Sequence, residues 1–191
     1  MEALVRYLHS ISPLSAAAQE ALLALFVPDQ LPSHEYFVQE GAYATHLAFL
    51  ETGVVRAYFV NHAGKEYNKQ FFVGPSLIGA YTSLLTQQPN RIAQQALTDC
   101  ILYKAPYTQV AALFDQFHDL ERLGRRIAEY YFLEKEKKEL EMALLDAEAR
   151  YQILQETFPD LEQQIPQYHI ASYLGISATQ LSRVRKKMSN A

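Results

Sequence analysis

A single cysteine, Cys100, stands among 191 residues. The chain can therefore close no disulfide on itself and cannot assemble a cysteine-based zinc or iron–sulfur site. Within the run 98–103 that cysteine reads as a small buried residue of an apolar strand. No uninterrupted apolar stretch approaches the ~20 residues that cross a bilayer, and the N-terminus has neither the basic start nor the apolar run of a signal peptide. A cytoplasmic protein with no membrane partner is expected. No His-x-His pair occurs; His34, His46 and His62 are scattered and read as turn or surface residues rather than a metal set. No serine–histidine or cysteine–histidine arrangement is readable from spacing, and no G-x-x-x-x-G-K loop is present. No catalytic residue and no metal site can be named, and the chain is not expected to be an enzyme.

Positive charge is scarce along most of the chain and concentrated at its end. Of 17 Lys and Arg, four lie in 177–191, which has no acid, leaving 13 basic against 21 acidic residues before it. The body is thus acidic and repels polyanions, while the tail attracts them. That tail follows a punctuated pattern: an apolar stretch 167–174, then Gly175-Ile176-Ser177, then 178–188. Glycine can take the left-handed conformation that ends a helix, and Ser177 can cap the next by accepting from its free amides. The pattern predicts a helix-turn-helix. At about 100° per residue, Leu181, Val184 and Met188 fall on one side of the second helix and Thr179, Arg183 and Lys186 on the other. Gln180, Ser182 and Lys187 flank the outward stripe, and Arg185 lies at the edge of the packed side, where its stem can carry charge outward. Guanidinium pairs with guanine in the major groove, and threonine bonds a base edge or meets the thymine methyl. Arg183 and Thr179 are therefore the base-reading candidates, and Arg185, Lys186 and Lys187 the phosphate-neutralising ones.

Upstream, 1–26 reads as helices, with Leu4, Leu8 and Ile11 on one face and a second start near Ser15. From Pro28 short runs rich in Tyr, Phe, Val and Leu (35–39, 47–52, 54–61, 67–73, 91–96, 100–104) alternate with turn residues, predicting a small antiparallel barrel or jelly roll. After Pro106 the helical period returns: Val110, Leu113, Phe117, Leu120, Leu123, Ile127 and Tyr131 form one stripe along a long segment. A helix between barrel and DNA-reading unit can pair with its copy along such a stripe, or pack on its own barrel. A further helix is expected over 140–158, closed by Pro159.

Barrel, long helix and C-terminal helix-turn-helix, in that order, resemble the Crp/Fnr family of bacterial transcription regulators. Val38-Gln39-Glu40-Gly41, the run 50–56 and Ala63-Gly64-Lys65-Glu66 are similar to the family's strands and hairpin tips, and 168–187 is similar to its DNA-binding unit. The resemblance implies an α+β fold: a cyclic-nucleotide-binding-like β jelly roll with N-terminal helices (1–110), a dimerisation helix (111–138) and a helix-turn-helix domain (139–191). The sequence given stops shortly after Lys187, where the family places a β wing, so a full wing is not expected. The resemblance also implies a homodimer, double-stranded DNA and RNA polymerase as partners, and DNA contacts from Ser177, Thr179, Gln180, Ser182, Arg183, Arg185, Lys186 and Lys187.

The segment 74–96 is similar to the stretch that holds a cyclic phosphate in some members, but it departs from them. Members that bind cyclic AMP carry a Gly-Glu pair for the ribose and an Arg followed by Ser or Thr for the phosphate. Here the pairs are Gly79-Ala80 and Arg91-Ile92. No cofactor is expected and cyclic AMP is not the expected effector. An unknown small effector, if one binds, is expected near Gly79, Tyr81, Arg91 and Gln94, with Arg91 otherwise a salt-bridge partner on the barrel rim. Two rival readings remain at this point: a cupin-like metal-dependent enzyme, and a sensor or interaction module that no longer binds DNA. An outward face of threonine, arginine and lysine argues against the second, because interface cores avoid lysine.

Overall fold

The computed structural model describes residues 1–189. Its centre is a jelly roll of two four-stranded antiparallel sheets. One runs β1 (Val27–Leu31), β8 (Cys100–Pro106), β3 (His46–Thr52), β6 (Ser76–Ile78); the other runs β2 (Tyr36–Val38), β7 (Ala93–Ala96), β4 (Val54–Val60), β5 (Glu66–Val73). The two-residue period of each strand sorts its side chains. Ala48, Leu50, Val55, Ile78, Ala96, Cys100 and Leu102 form the interior, while Phe49 and Ala105 on one sheet, and Val54 and Phe71 on the other, point to the outer faces.

Helices cover both outer faces. On the first sheet lie α1 (Glu2–Ile11), α2 (Ala16–Leu23), α4 (Tyr107–Phe114) and the N-terminal half of α5 (His118–Leu144), packed through Leu4, Leu8, Leu22, Val110, Leu120 and Leu123. Ser15 caps α2, accepting from the Ala18 amide. The second sheet is covered by α6 (Ala147–Thr157), α7 (Leu161–Gln164), α8 (Gln167–Tyr173) and α9 (Ala178–Ser189), and one core joins Val54, Phe71 and Leu97 of the roll to Tyr151, Leu154, Leu161, Ile170, Leu174 and Leu181. The short α3 (Tyr81–Thr86) bridges β6 and β7.

Several elements differ from the expectation. β1 and β6 were not anticipated: Pro28 lies within β1, an edge strand where a missing amide is tolerated, and β6 is a three-residue edge strand that starts just after Gly74-Pro75. The stripe from Val110 to Tyr131 is carried by two helices, with Phe117 at the N-cap of α5, and it packs on the protein's own roll; the Tyr131 hydroxyl donates to the Leu77 carbonyl at 3.0 Å. The helix expected from 140 begins instead at Ala147, where Asp146 accepts from the Ala149 amide at 2.9 Å, and α5 runs on to Leu144. With 27 residues, α5 is roughly 40 Å long.

The chain passes from one sheet to the other at Gly53, whose φ is +104°. A Cβ there would lie 2.6 Å from Cys100 Sγ and 2.7 Å from the Asp99 carbonyl oxygen. Backbone strain and overpacking act together at this corner. Gly53→Ala is expected to lower stability by about 2–4 kcal/mol, seen as a fall of roughly 5–15 °C in thermal midpoint. An unchanged midpoint would contradict the close approach.

Candidate nucleic-acid interface

The turn between α8 and α9 is closed at both ends by the residues that announced it. Gly175 has φ +70°. Its amide donates to the Ser172 carbonyl at 3.2 Å and the Ile176 amide to the Ala171 carbonyl at 3.0 Å, the paired bonds of a glycine-terminated helix. At the start of α9, the Gln180 amide donates to Ser177 Oγ at 3.2 Å while the Ser177 amide donates to Gln180 Oε1 at 2.9 Å. This reciprocal capping box satisfies two helix-end donors. Ser177 and Gln180 are thereby committed to holding the helix end.

Along α9, Leu181 and Val184 are buried, and Met188 packs against the same core. The outward side presents Thr179, Ser182, Arg183 and Lys186, all exposed. Among the described residues neither Arg183 nor Lys186 forms an ion pair. The other two cations are engaged within the fold. Lys187 Nζ donates to both carboxylate oxygens of Glu148 at 2.7 Å, which raises its pKa. Arg185 Nε lies 3.6 Å from Glu162 Oε1. Glu162 in turn accepts from the Tyr151 hydroxyl at 2.9 Å and from Gln155 Nε2 at 3.2 Å. Burial, with that carboxylate second, pushes the Tyr151 phenol up to about 12. The half-buried Arg185 thus directs its charge to α7 rather than outward. α9 is tied to α6 and α7 by these contacts, and among the described residues its cations without an ion pair are Arg183 and Lys186.

The effector residues read from the sequence stand on and around β6, α3 and β7. Gln94 on β7 is buried with its Oε1 unpaired. Tyr81 is exposed at the start of α3, its ring 6.0 Å edge-on from Tyr107, and Gly79 packs against Leu47 and Leu84. Arg91 is exposed and forms no ion pair among the described residues, so the rim salt bridge is not made. A cavity of about 130 Å³ lies elsewhere on the roll, between Asp29, Tyr36, Tyr43, His46 and Lys104. Among the described residues no three His, Cys, Asp or Glu side chains are placed to hold a metal ion, and no helix is long and apolar enough to cross a membrane.

Sequence reasoning missed a polar cluster between the roll and α8. Arg56 is 5% exposed and His169 4%; they meet each other, Glu66, Asn68 and Gln95, and Ser172 bonds to the backbone of Glu66 and Asn68 beside them. Burial first, then the Arg56 guanidinium, holds the His169 imidazole down at about 4, so it is neutral there. The one available signal was an arginine in the middle of the apolar strand 54–60. From α5, Lys138 lies 3.6 Å above the Tyr173 ring of α8, and burial lowers its ammonium to about 8. α5 also has a second side. Tyr130, Leu133, Leu140 and Leu144 are exposed, and Leu133, Leu140 and Leu144 line, with Leu145 and Ile153, a groove of about 470 Å³.

Residues 28–117 match the family model of the cyclic nucleotide-binding domain. The roll is thus similar to domains of that kind, and the helices from α5 onward lie outside the match. No curated protein matches the sequence at a significant level. Among solved structures, FixK2 from Bradyrhizobium japonicum is 16% identical with a TM-score of 0.73, covering 86% of this chain and 85% of its own. The regulator CLP of Xanthomonas campestris, described as responsive to c-di-GMP, is 19% identical with a TM-score of 0.68, covering 92% of each chain. The catabolite activator protein of Thermus thermophilus is 22% identical with a TM-score of 0.57, covering 93% and 84%. The whole chain therefore has the fold of the Crp/Fnr-type regulators that its sequence resembles: an α+β jelly roll, a long helix and a C-terminal helical unit.

Proposed function

We propose that the chain is a dimeric, sequence-specific DNA-binding transcriptional regulator of Crp/Fnr type, acting in the cytoplasm without catalysis. α8 and α9 are its helix-turn-helix, and α9 is the helix that enters the major groove. The observation that carries this reading is the outward side of α9. Thr179, Ser182, Arg183 and Lys186 share an exposed side with no acid among them, while the opposite side is buried. A protein-docking helix has little use for such a surface. The division into sensor (1–110), dimerisation helix (111–138) and DNA-binding unit (139–191) belongs to this reading, as does RNA polymerase as a partner on the promoter. Cyclic AMP is not the effector: no carboxylate follows Gly79 and no hydroxyl follows Arg91. Control is exerted either by another small molecule bound near Gly79, Tyr81, Arg91 and Gln94, or without one.

Duplex DNA enriched by the protein from a random pool, then titrated with salt, tests this. Affinity should fall steeply as salt rises, because phosphate contacts release counterions. Lys186→Ala should make the log–log slope shallower by about 0.9 per site and weaken all sequences alike. Lys187→Ala should change the slope less, since Glu148 already holds that ammonium. Binding indifferent to salt, or no enrichment at all, would overturn the assignment.

A further inference from the structure

β5 is an edge strand, and its outer side is closed by α8. Two backbone groups of that strand are satisfied by one serine: the Asn68 amide donates to Ser172 Oγ at 3.0 Å, and the Ser172 hydroxyl donates to the Glu66 carbonyl at 3.1 Å. Asn68 Nδ2 donates to the His169 carbonyl at 2.9 Å. Beside them the buried Arg56 guanidinium donates to Gln95 Oε1 at 3.0 and 2.7 Å and to Glu66 Oε2 at 2.5 Å. Arg56 also lies 3.7 Å from the Tyr58 ring centre, with Nη1 3.3 Å from His169 Nδ1. Phe71 of β5 packs against Tyr173 at 4.9 Å and Phe158 at 6.5 Å. The Arg56 guanidinium is buried with a partner at each of its three nitrogens, while the Glu66 carboxylate it meets is 45% exposed; a buried charge so held contributes more to fixing one geometry than to net stability.

We propose that Arg56 and Asn68, on the roll, are positioning residues for DNA reading: through His169 and Ser172 they set the angle at which α8, and α9 beyond its turn, meets the duplex. The inference rests on α9 being the DNA-reading helix. A helix-turn-helix dimer must present two recognition helices about one duplex turn apart, so specific binding depends on the orientation of each unit relative to the body that joins them. Non-specific binding needs only the cationic surface. A displacement of β5 within the roll then passes to α9 without routing through the long helix.

The test uses the full-length protein, the duplex it enriches from a random pool, and an unrelated duplex of equal length. Asn68→Ala and Ser172→Ala, checked for unchanged circular dichroism, should lose about tenfold in affinity for the enriched duplex, the scale of one lost buried hydrogen bond. Their affinity for the unrelated duplex should hold within about twofold, as expected if phosphate contacts are intact. Ser172→Thr, which keeps the hydroxyl, should restore binding, and amides of α8 should exchange faster in the alanine variants. If Ser172→Ala does not fold, Asn68→Ala decides. Equal loss on both duplexes, or variants that bind the enriched duplex as the parent does, would overturn the positioning role. A parent protein that enriches no duplex would instead remove the DNA-binding reading on which it stands.

Discussion

Arg183→Ala is expected to abolish discrimination at one base position per half-site while leaving the others intact, at about 1–3 kcal/mol for that position. The expectation follows from where the residue stands. Arg183 is exposed on the side of α9 opposite Leu181 and Val184, one turn beyond Thr179, and among the described residues no acid pairs with it. A guanidinium so placed can offer two parallel donors to the O6 and N7 of guanine, a geometry that lysine cannot reproduce. Arg185, two residues on, is turned toward Glu162 instead. Affinities for every single-base variant of the enriched duplex, measured with parent and variant, give the answer directly. If Arg183→Ala weakens all of them alike, Arg183 is a phosphate contact and Thr179 must carry the reading.

Leu140→Asp is expected to convert the protein from dimer to monomer and to reduce affinity for a two-half-site duplex by two or more orders of magnitude. The stripe that the sequence offered for pairing, from Val110 to Tyr131, is spent on the protein's own roll. What remains for a second copy is the opposite side of α5, where Tyr130, Leu133, Leu140 and Leu144 stand exposed at spacings of three, seven and four. These spacings follow a heptad seam, with Lys137 at the intervening position. Burying a leucine fully is worth roughly 1.5–3 kcal/mol, and a twofold seam loses it twice. An aspartate in its place adds two uncompensated charges to the contact. Losing the linkage between half-sites removes the effective-concentration gain of ~10²–10⁴. Sedimentation and DNA titration together test this. A parent that sediments as a monomer would remove the proposed dimer, and a variant that still dimerises would place the contact elsewhere.

Local chemistry was legible in the sequence because neighbours in the chain determine it. The Gly175 turn, the Ser177 cap and the two sides of α9 each depend on residues within a few positions of one another. The strands from β2 to β5, and β7 and β8, were readable from alternation and turn residues for the same reason. Pro28 concealed β1, since a proline at a sheet edge and one at a breaker look identical in sequence, and β6, only three residues long after Gly74-Pro75, left no alternation to read. The break between α4 and α5 was hidden because Val110, Leu113, Phe117 and Leu120 keep helical spacing across it. Asp146 was a readable cap, but the apolar run Ala143-Leu144-Leu145 before it suggested continuity. The coupling of Arg56 to His169 spans 113 positions, and no periodicity reports a contact of that range. Whether the stripe from Val110 would meet a copy or the protein's own roll was open in the sequence, because a stripe shows that a face is apolar, not what will cover it; the structure packs it on the roll.

The core that unites Val54, Phe71 and Leu97 with Tyr151, Leu154 and Ile170 makes the C-terminal helices a poor candidate for transplantation. Severed from the roll, they would lose the aromatic floor beneath Tyr173 and Phe158, and the roll would be left with a bare, sticky flank. Roll and C-terminal helices share a single core, so on the proposed reading new specificities are better sought by changing the few outward side chains of α9 than by exchanging the unit that bears them.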